Sequence, residues 1–234
     1  MAKTDVLERE LYTVQQASRL LRVPPSTLNW WLEGGKRHNK LHDPVLREAP
    51  TGSKILTWGE FVEARWLRTY RRDLGVSLRH LRRFITLLRD QLGIPYPLAH
   101  FQPFVGENAQ LVIEAQKLAD LEPELWLYVP ATGAIPLPSP TTASYLTVVK
   151  FADEESGHAE RIHPLGLERP VVFDPDYSFG EPTVEGVRTE VLVELVEAGE
   201  PIESIAKDYG ITQDQVKAAV AYEYLDGDGA PIAA

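Results

Sequence analysis

Apolar residues recur at helical spacing near the start of the chain. One stripe follows Thr13, a residue type that caps helices, and consists of Val14, Ala17, Leu20 and Leu21. The segment Val23-Pro24-Pro25 ends that helix, because a residue before proline avoids the helical region. A second helix is predicted over residues 26–33, and Gly34-Gly35 closes it. Two short helices joined by so short a turn are typical of a helix-turn-helix.

The last quarter of the chain shows a similar pattern. Apolar positions predict a helix over residues 189–198, a second helix from Pro201 to Gly210 and a third that begins at the capping residue Thr212. Gly210 permits the positive φ that a tight turn requires. Residues 171–225 are therefore predicted to form a three-helix domain with a second helix-turn-helix. An apolar edge of its third helix is expected to form a homodimer, through Val216, Val220 and Tyr224.

Prolines between residues 95 and 140 prevent long helices in the middle of the chain. Short apolar runs predict strands at residues 125–129, 145–149 and 158–163, although the second run can also begin as a helical turn. The sequence thus predicts an α+β, mostly helical protein. Its expected parts are a front domain (1–93), a small β-rich middle (94–170), the C-terminal domain (171–225) and a frayed tail (226–234).

Composition excludes several classes of protein. The chain of 234 residues is 44% hydrophobic and 25% charged, which is ordinary for a globular protein. It contains no cysteine, so disulfides, Cys-ligated zinc and a thiol nucleophile are excluded. No apolar run reaches the ~18 residues of a membrane span, and the first residues lack the apolar core of a signal peptide. We therefore expect a soluble, cytoplasmic protein without membrane contact.

Charge is divided unevenly along the chain, whose formal net charge is −10. Residues 1–100 carry 17 Lys and Arg against 10 Asp and Glu, a balance of +7. Residues 101–234 carry 7 against 24, a balance of −17. This asymmetry favours a nucleic-acid partner for the front and another role for the back, since an acidic surface repels phosphate. The alternative is two solvated surfaces that merely differ in charge.

The order of elements at the front resembles a MerR-type winged helix-turn-helix domain over most of residues 1–93. After the two predicted helices, residues 45–47 and 54–56 are expected to be the strands of a wing. A helix capped by Thr57 and two basic helices within residues 62–89 complete the resemblance. It implies that the second helix and the wing bind operator DNA.

Candidate DNA contacts follow from this resemblance. On the second helix they are Ser26, Thr27, Asn29 and Trp30. The family often has arginine at the positions of Ser26 and Asn29 and tyrosine at those of Trp30 and Trp31. Asn29 can pair with adenine, and Ser26 or Thr27 can bind a phosphate or a base edge. Cations around the wing are expected to bind phosphate, and these are Lys36, Arg37, Lys40, Arg47 and Lys54. Alternatively, Trp30 and Trp31 belong to the core of a domain that binds protein.

Arginines also line the faces of the two basic helices, at positions 65, 68 and 72 and at positions 79, 82 and 83. They fit contacts with the DNA backbone, which would add affinity independent of sequence. They fit equally well contacts with the acidic half of the same chain, and both alternatives stay open.

Residues 171–223 resemble a small bacterial domain family of unknown function that is associated with VapB-type antitoxins. A short strand, the turn Phe179-Gly180-Glu181-Pro182, the hairpin Gly186-Val187-Arg188 and three helices carry the resemblance. It implies the antitoxin of a type II toxin–antitoxin pair, which neutralises a PIN-like ribonuclease encoded alongside and represses its own operon.

Candidate toxin contacts come from the same resemblance, since a PIN-like ribonuclease has basic surface around an acidic, metal-binding pocket. Arg188 is the candidate for the pocket, because it is the only arginine after residue 170. Its alternative role is a salt bridge to Glu185 or Glu190. The acids expected to meet the basic rim are Glu190, Glu194, Glu197 and Glu203.

Motifs for catalysis are weak. His38 and His42 have metal-like spacing but belong to the predicted wing, and the acids around Asp174 match no calcium loop. We expect no enzyme, no metal and no cofactor. The alternative function is a MerR-like transcription regulator with an acidic sensing or partner-binding half and no toxin. A hydrolase built on the acids around Asp174 ranks third.

Overall fold

The structure is a computed structural model that describes residues 5–37, 39–100, 108–126, 128–129, 137–152 and 157–224. The chain has the expected α+β fold and divides into two compact units. The first unit comprises Met1–Leu146 with Phe151–Ala159, and the second comprises Thr147–Lys150 with Glu160–Ala234. The predicted middle region, residues 94–170, is therefore shared between the two units.

Helices dominate the first unit. These are α1 (Val14–Leu21), α2 (Pro25–Glu33), α3 (Trp58–Arg68), α4 (Leu78–Leu92), α5 (Asn108–Leu118) and α6 (Pro140–Leu146). Its short strands are β1 (Glu10–Thr13), β2 (Gly35–Arg37), β3 (Lys40–His42), β4 (Ile55–Thr57), β5 (Tyr128–Val129) and β6 (Leu137–Pro138). Strand β1 pairs antiparallel with β4, β2 with β3, and β5 with β6.

Side-chain caps fix where the helices of the first unit begin. Thr13 caps α1 and Thr57 caps α3, and in each case the N–H of the threonine donates in return to the side-chain oxygen three residues later, of Gln16 or Glu60. Ser77 caps α4 by accepting a hydrogen bond from the backbone N–H of His80. The caps at Thr13 and Thr57 confirm the predicted starts of α1 and α3.

The hairpin of the first unit differs from the predicted wing. Residues 45–49 form bends instead of a strand. Strand β4 pairs with β1, the strand that directly precedes α1. The hairpin is β2–β3, directly after α2. It begins at Gly34, where φ is +60° and a Cβ would overlap the carbonyl oxygen of His42. Only glycine therefore fits where the chain leaves α2.

Two helices, α5 and α6, occupy the region that is predicted to be β-rich. Residues 108–118 contain no proline, and Pro140 stands in the first turn of α6, where its missing N–H costs nothing. Tyr145 belongs to α6, so the strand predicted to start there begins at Val149.

A five-stranded sheet and three helices make up the rest of the described chain. The order along the sheet is β11-β10-β9-β8-β7. In chain order its strands are β7 (Val149–Phe151), β8 (Ala159–Ile162), β9 (Val172–Phe173), β10 (Pro182–Val184) and β11 (Val187–Arg188). The helices are α7 (Thr189–Glu197), α8 (Ile202–Tyr209) and α9 (Gln213–Glu223). The rings of Phe173 and of Tyr222 on α9 pack nearly at right angles with their centroids 6.0 Å apart, so the sheet and the helices share one core.

Two buried arginines hold the irregular segment 43–54 of the first unit. Arg47 donates from Nε to Glu60 at 2.6 Å, also bonds Glu33, and donates to the carbonyl oxygens of Ser53 and Ile55. Arg89 donates to Glu63 at 2.9 Å and to the carbonyl oxygen of Leu46 at 2.6 Å. Their guanidinium groups thus supply hydrogen bonds that a strand partner would otherwise give this backbone.

The pH dependence of stability tests the buried pair of Glu63 and Arg89. Burial raises the pKa of Glu63 to about 7, although Arg89 and the Leu98 N–H lower it. Because the folded chain then binds a proton more readily than the unfolded chain, the free energy of unfolding falls as pH rises from about 4.5 to about 7. Glu63→Gln is expected to remove this component in urea denaturation at several pH values. Exposed Glu122→Gln serves as the control, and an unchanged pH profile in Glu63→Gln would contradict the prediction.

Candidate functional site

Helix α2 presents a polar face beside the β2–β3 hairpin. Ser26 is exposed, and Thr27 and Asn29 are partly exposed. Leu28 and Leu32 lie on the opposite side and are fully buried. The amphipathic pattern of α2 therefore leaves the predicted DNA-facing residues at the surface.

The two tryptophans of α2 have different environments. Trp31 is 2% exposed and belongs to the core, as the protein-binding alternative expected. The ring of Trp30 is partly exposed and lies 5.6 Å from the ring of His42, so it supports the hairpin. His38, the other histidine of the metal-like pair, lies outside the described residues.

Lys54 and Asn29 meet at this surface, although 25 positions separate them. The Lys54 ammonium donates to Asn29 Oδ1 at 2.6 Å. An ammonium has no acceptor, so this contact assigns the amide oxygen to Lys54 and leaves the amide N–H groups of Asn29 as donors. Pairing with adenine needs both ends of the amide, whereas donors alone match the O6 and N7 acceptors of guanine.

Cations cluster on the β2–β3 hairpin. Lys36, Arg37 and Lys40 are exposed, and Arg37 pairs directly opposite Lys40. Like charges at opposed positions destabilise a hairpin, and within the described residues neither has an acidic partner. An anion at this hairpin would relieve that repulsion.

The structure corrects the expectation for Arg47. Only 6% of its side chain is exposed, and its guanidinium contacts the Glu60 and Glu33 carboxylates. Burial lowers the pKa of Arg47, but these two carboxylates raise it, and the net shift is upward. Arg47 is therefore part of the internal framework and is not available to a phosphate.

The arginines of α4 are largely engaged within the first unit. Arg82 donates to the carbonyl oxygen of Pro44 at 3.1 Å, Arg89 is buried against Glu63, and Arg83 pairs with Asp120 at 2.9 Å. Asp120 belongs to the acidic half of the sequence. These contacts favour the intramolecular alternative for this helix.

Acidic side chains cover one face of α7. Glu190, Glu194 and Glu197 are spaced by four and three residues and are all exposed, and Glu203 on α8 is exposed as well. Glu197 accepts a hydrogen bond from the Tyr224 hydroxyl at 2.5 Å, which raises the pKa of Tyr224.

Arg188 lies at the junction of β11 and α7 with its side chain exposed. The proposed salt bridges to Glu185 and Glu190 do not form, because no ion pair of Arg188 occurs within the described residues. Glu185 instead accepts a hydrogen bond from Gln215 at 3.0 Å. Arg188 is thus a cation presented beside the acidic face.

The predicted dimer edge of α9 is not an apolar surface. Val216 is completely buried, because α9 packs on α7, and Val220 is partly buried. Tyr224 is 47% exposed. The structure therefore removes Val216 from any interface with a second copy.

The acids around Asp174 do not form an open site. Asp174 is 3% exposed and accepts hydrogen bonds from Arg161 Nε at 2.5 Å and from the Asp176 N–H at 2.8 Å. In the described part of the chain, no three His, Asp or Glu side chains are grouped so that they could hold a metal ion. None of the described helices has the length and apolar character of a membrane span.

Known proteins resemble both the whole chain and its C-terminal part. Residues 171–222 match the family described as "Protein of unknown function (DUF433)". The Mycobacterium tuberculosis protein "Uncharacterized protein Rv2308" is 31% identical over 95% of this chain and 93% of its own length. "Putative antitoxin VapB45" from the same organism is 30% identical over 90% of this chain and 92% of its own length.

A solved structure has the same fold. It is the X-ray crystal structure of Rv2018 from Mycobacterium tuberculosis, with a TM-score of 0.71 and 30% identity. The match covers 92% of this chain and 100% of that chain, so it includes both units.

Two alanine substitutions test whether the buried cation Arg47 stabilises the fold and the exposed cation Lys36 does not. Arg47→Ala leaves the buried carboxylate of Glu60 and the partly buried carboxylate of Glu33 without their partner, and it is expected to lower the free energy of unfolding by about 3–5 kcal/mol. Exposed Lys36→Ala is expected to change it by less than about 0.5 kcal/mol. Urea denaturation measures both, and a small effect of Arg47→Ala would show that Arg47 is not part of the framework.

Proposed function

Since the chain belongs to the same family as "Putative antitoxin VapB45", we propose that it is the antitoxin of a type II toxin–antitoxin pair. It neutralises a PIN-like ribonuclease by binding it through the second unit, and it represses its own operon by binding operator DNA through the first unit. The proposal assigns the chain no catalytic activity. The observation that carries it is the placement of opposite charges on exposed faces of the two units.

The surface of α2 and the hairpin supports the DNA-binding part of the proposal. Helix α1 and helix α2 are joined by residues 22–24, and α2 is taken as the helix that enters the major groove. Its polar face carries hydrogen-bond donors for base edges. The exposed cations of the hairpin can bind phosphates, and these are Lys36, Arg37 and Lys40. Two copies acting as a homodimer would read two half-sites.

The acidic helices support the toxin-binding part. Residues 171–224 contain 12 Asp and Glu against 3 Lys and Arg, and phosphate would be repelled from such a surface. A ribonuclease must hold RNA on cationic surface, so an acidic helix face competes for the same cations. Arg188, the exposed cation next to that face, is the group suited to an acidic catalytic pocket.

The alternative of a sensing regulator has weaker support. A cavity between α3 and α4 is lined by apolar and aromatic side chains that include Trp66 and Phe84, and its volume of about 10 Å³ has room for no more than a water molecule. Small-molecule sites usually enclose about 300–1,000 Å³. This cavity is therefore small for an effector.

Charge reversal on the acidic face tests toxin binding. The double variant Glu194→Lys with Glu203→Lys is expected to weaken the complex with the product of the neighbouring open reading frame by at least about 10-fold, since it replaces attraction by repulsion. Isothermal titration calorimetry measures the affinity, and inhibition of RNA cleavage provides a second readout.

The matched control is Glu114→Lys with Glu122→Lys, two exposed acids of the first unit. It makes the same change in net charge and is expected to leave the affinity within about 2-fold, because the reversed groups belong to the first unit, to which the proposal assigns no toxin contact. Equal losses in both double variants would contradict a specific role for the acidic helices.

A further inference from the structure

One aromatic side chain of the second unit is almost fully exposed. Phe179 has 83% of its surface accessible, the largest value among the large hydrophobic residues of the described chain. Tyr177, two positions earlier, is 56% exposed. Exposed large aromatic side chains on a folded protein are typical of binding surfaces.

The backbone around Phe179 is strained. Ser178 has a φ of 48° and Phe179 a φ of 54°, both in the left-handed region that residues other than glycine rarely adopt. Holding two consecutive side chains there costs conformational free energy. Burial of the Phe179 ring does not offset this cost, because the ring faces solvent.

Hydrogen bonds hold the turn in this conformation. The Asp174 carboxylate accepts from Arg161 and from the Asp176 N–H, and its backbone carbonyl accepts from the Tyr177 N–H at 3.1 Å. The carbonyl of Tyr177 accepts from the Gly180 N–H at 2.9 Å. The two rings are therefore presented on an ordered turn, which lowers the entropy lost when a partner binds them.

We propose that Phe179, with Tyr177 beside it, is the apolar anchor of the toxin interface and enters a pocket with a basic rim on the ribonuclease. The proposal rests on the function proposed above. Charge complementarity favours the ribonuclease as the partner, because Asp176 and Glu181 flank the two aromatic residues in the sequence, within a strongly acidic segment. An aromatic anchor with surrounding acids matches a pocket lined by apolar groups and edged by Lys and Arg.

Phe179→Gly separates an interface role from a structural one. Glycine adopts the left-handed conformation without strain, so the variant is expected to raise the urea midpoint of the full-length chain. The same variant is expected to weaken binding of the purified product of the neighbouring open reading frame by about 30-fold or more. Phe179→Trp keeps a large ring and is expected to bind within a few-fold of the wild type.

Tyr209→Ala is the matched control, because Tyr209 is an aromatic residue of the same unit with 41% exposure. Its removal is expected to leave the affinity unchanged. If Phe179→Gly lowers the urea midpoint and leaves the affinity unchanged, Phe179 is structural and the proposal is wrong.

Three further outcomes distinguish the remaining possibilities. Light scattering that shows a dimer in the wild type and a monomer in Phe179→Gly, without toxin, would assign the anchor to a second copy of the chain and overturn the proposal. If the wild-type chain itself forms no complex, the function proposed above fails. If the wild type binds and Phe179→Gly binds equally well, only the assignment of the anchor fails.

Discussion

The surface of the first unit depends on two buried arginines. Arg47 lies within the segment of residues 43–54 and Arg89 lies on α4, and both donate to backbone carbonyl oxygens of this segment, which has no strand partner. Their carboxylate partners stand on α2 and α3. Because the same segment begins after β3 and ends at Lys54, these ion pairs fix both the base of the hairpin and the lysine that contacts Asn29.

A similar principle operates in the second unit. Arg161 and Asp174 form an ion pair at the base of a turn, and the turn holds Phe179 in a strained, exposed position. In both units, buried or half-buried charges order segments that have little regular structure, and those segments carry the candidate contact residues. Strain and repulsion at the surface, as at Phe179 and between Arg37 and Lys40, are typical of sites that act on a partner.

Much of the fold follows from local rules of sequence. The caps Thr13, Thr57 and Ser77 and the turn at Gly210 place helices where the structure has them. Their signals lie within a few residues of the helix ends, which makes them readable in one sequence. The acidic face of α7 is predictable for the same reason, since helical spacing alone brings its glutamates together.

Contacts between residues far apart in the sequence cannot be predicted from such local signals. Arg47 looks like a surface cation in sequence, and only its two carboxylate partners, 13 and 14 positions away, reveal that it is buried. The apolar run at Val45 has the pattern of a strand, yet its N–H groups donate to the carbonyl oxygen of Trp31 and its carbonyl oxygens accept from Arg89. Phe179 stands in a turn next to Gly180, and an apolar residue there predicts burial; the left-handed backbone that exposes it has no local signal.

The central claim is that the basic surface of the first unit binds DNA and the acidic surface of the second unit binds the toxin. The salt dependence of DNA binding tests this claim most directly. Affinity of the full-length chain for its own promoter is measured by fluorescence anisotropy at several salt concentrations. Arg37→Ala with Lys40→Ala is expected to reduce the slope of log affinity against log salt by about 2, at roughly 0.9 for each lost phosphate contact. Lys150→Ala with Lys217→Ala, two cations of the second unit, is expected to leave the slope unchanged. Equal slopes for both double variants, or no binding by the wild type at low salt, would contradict the account.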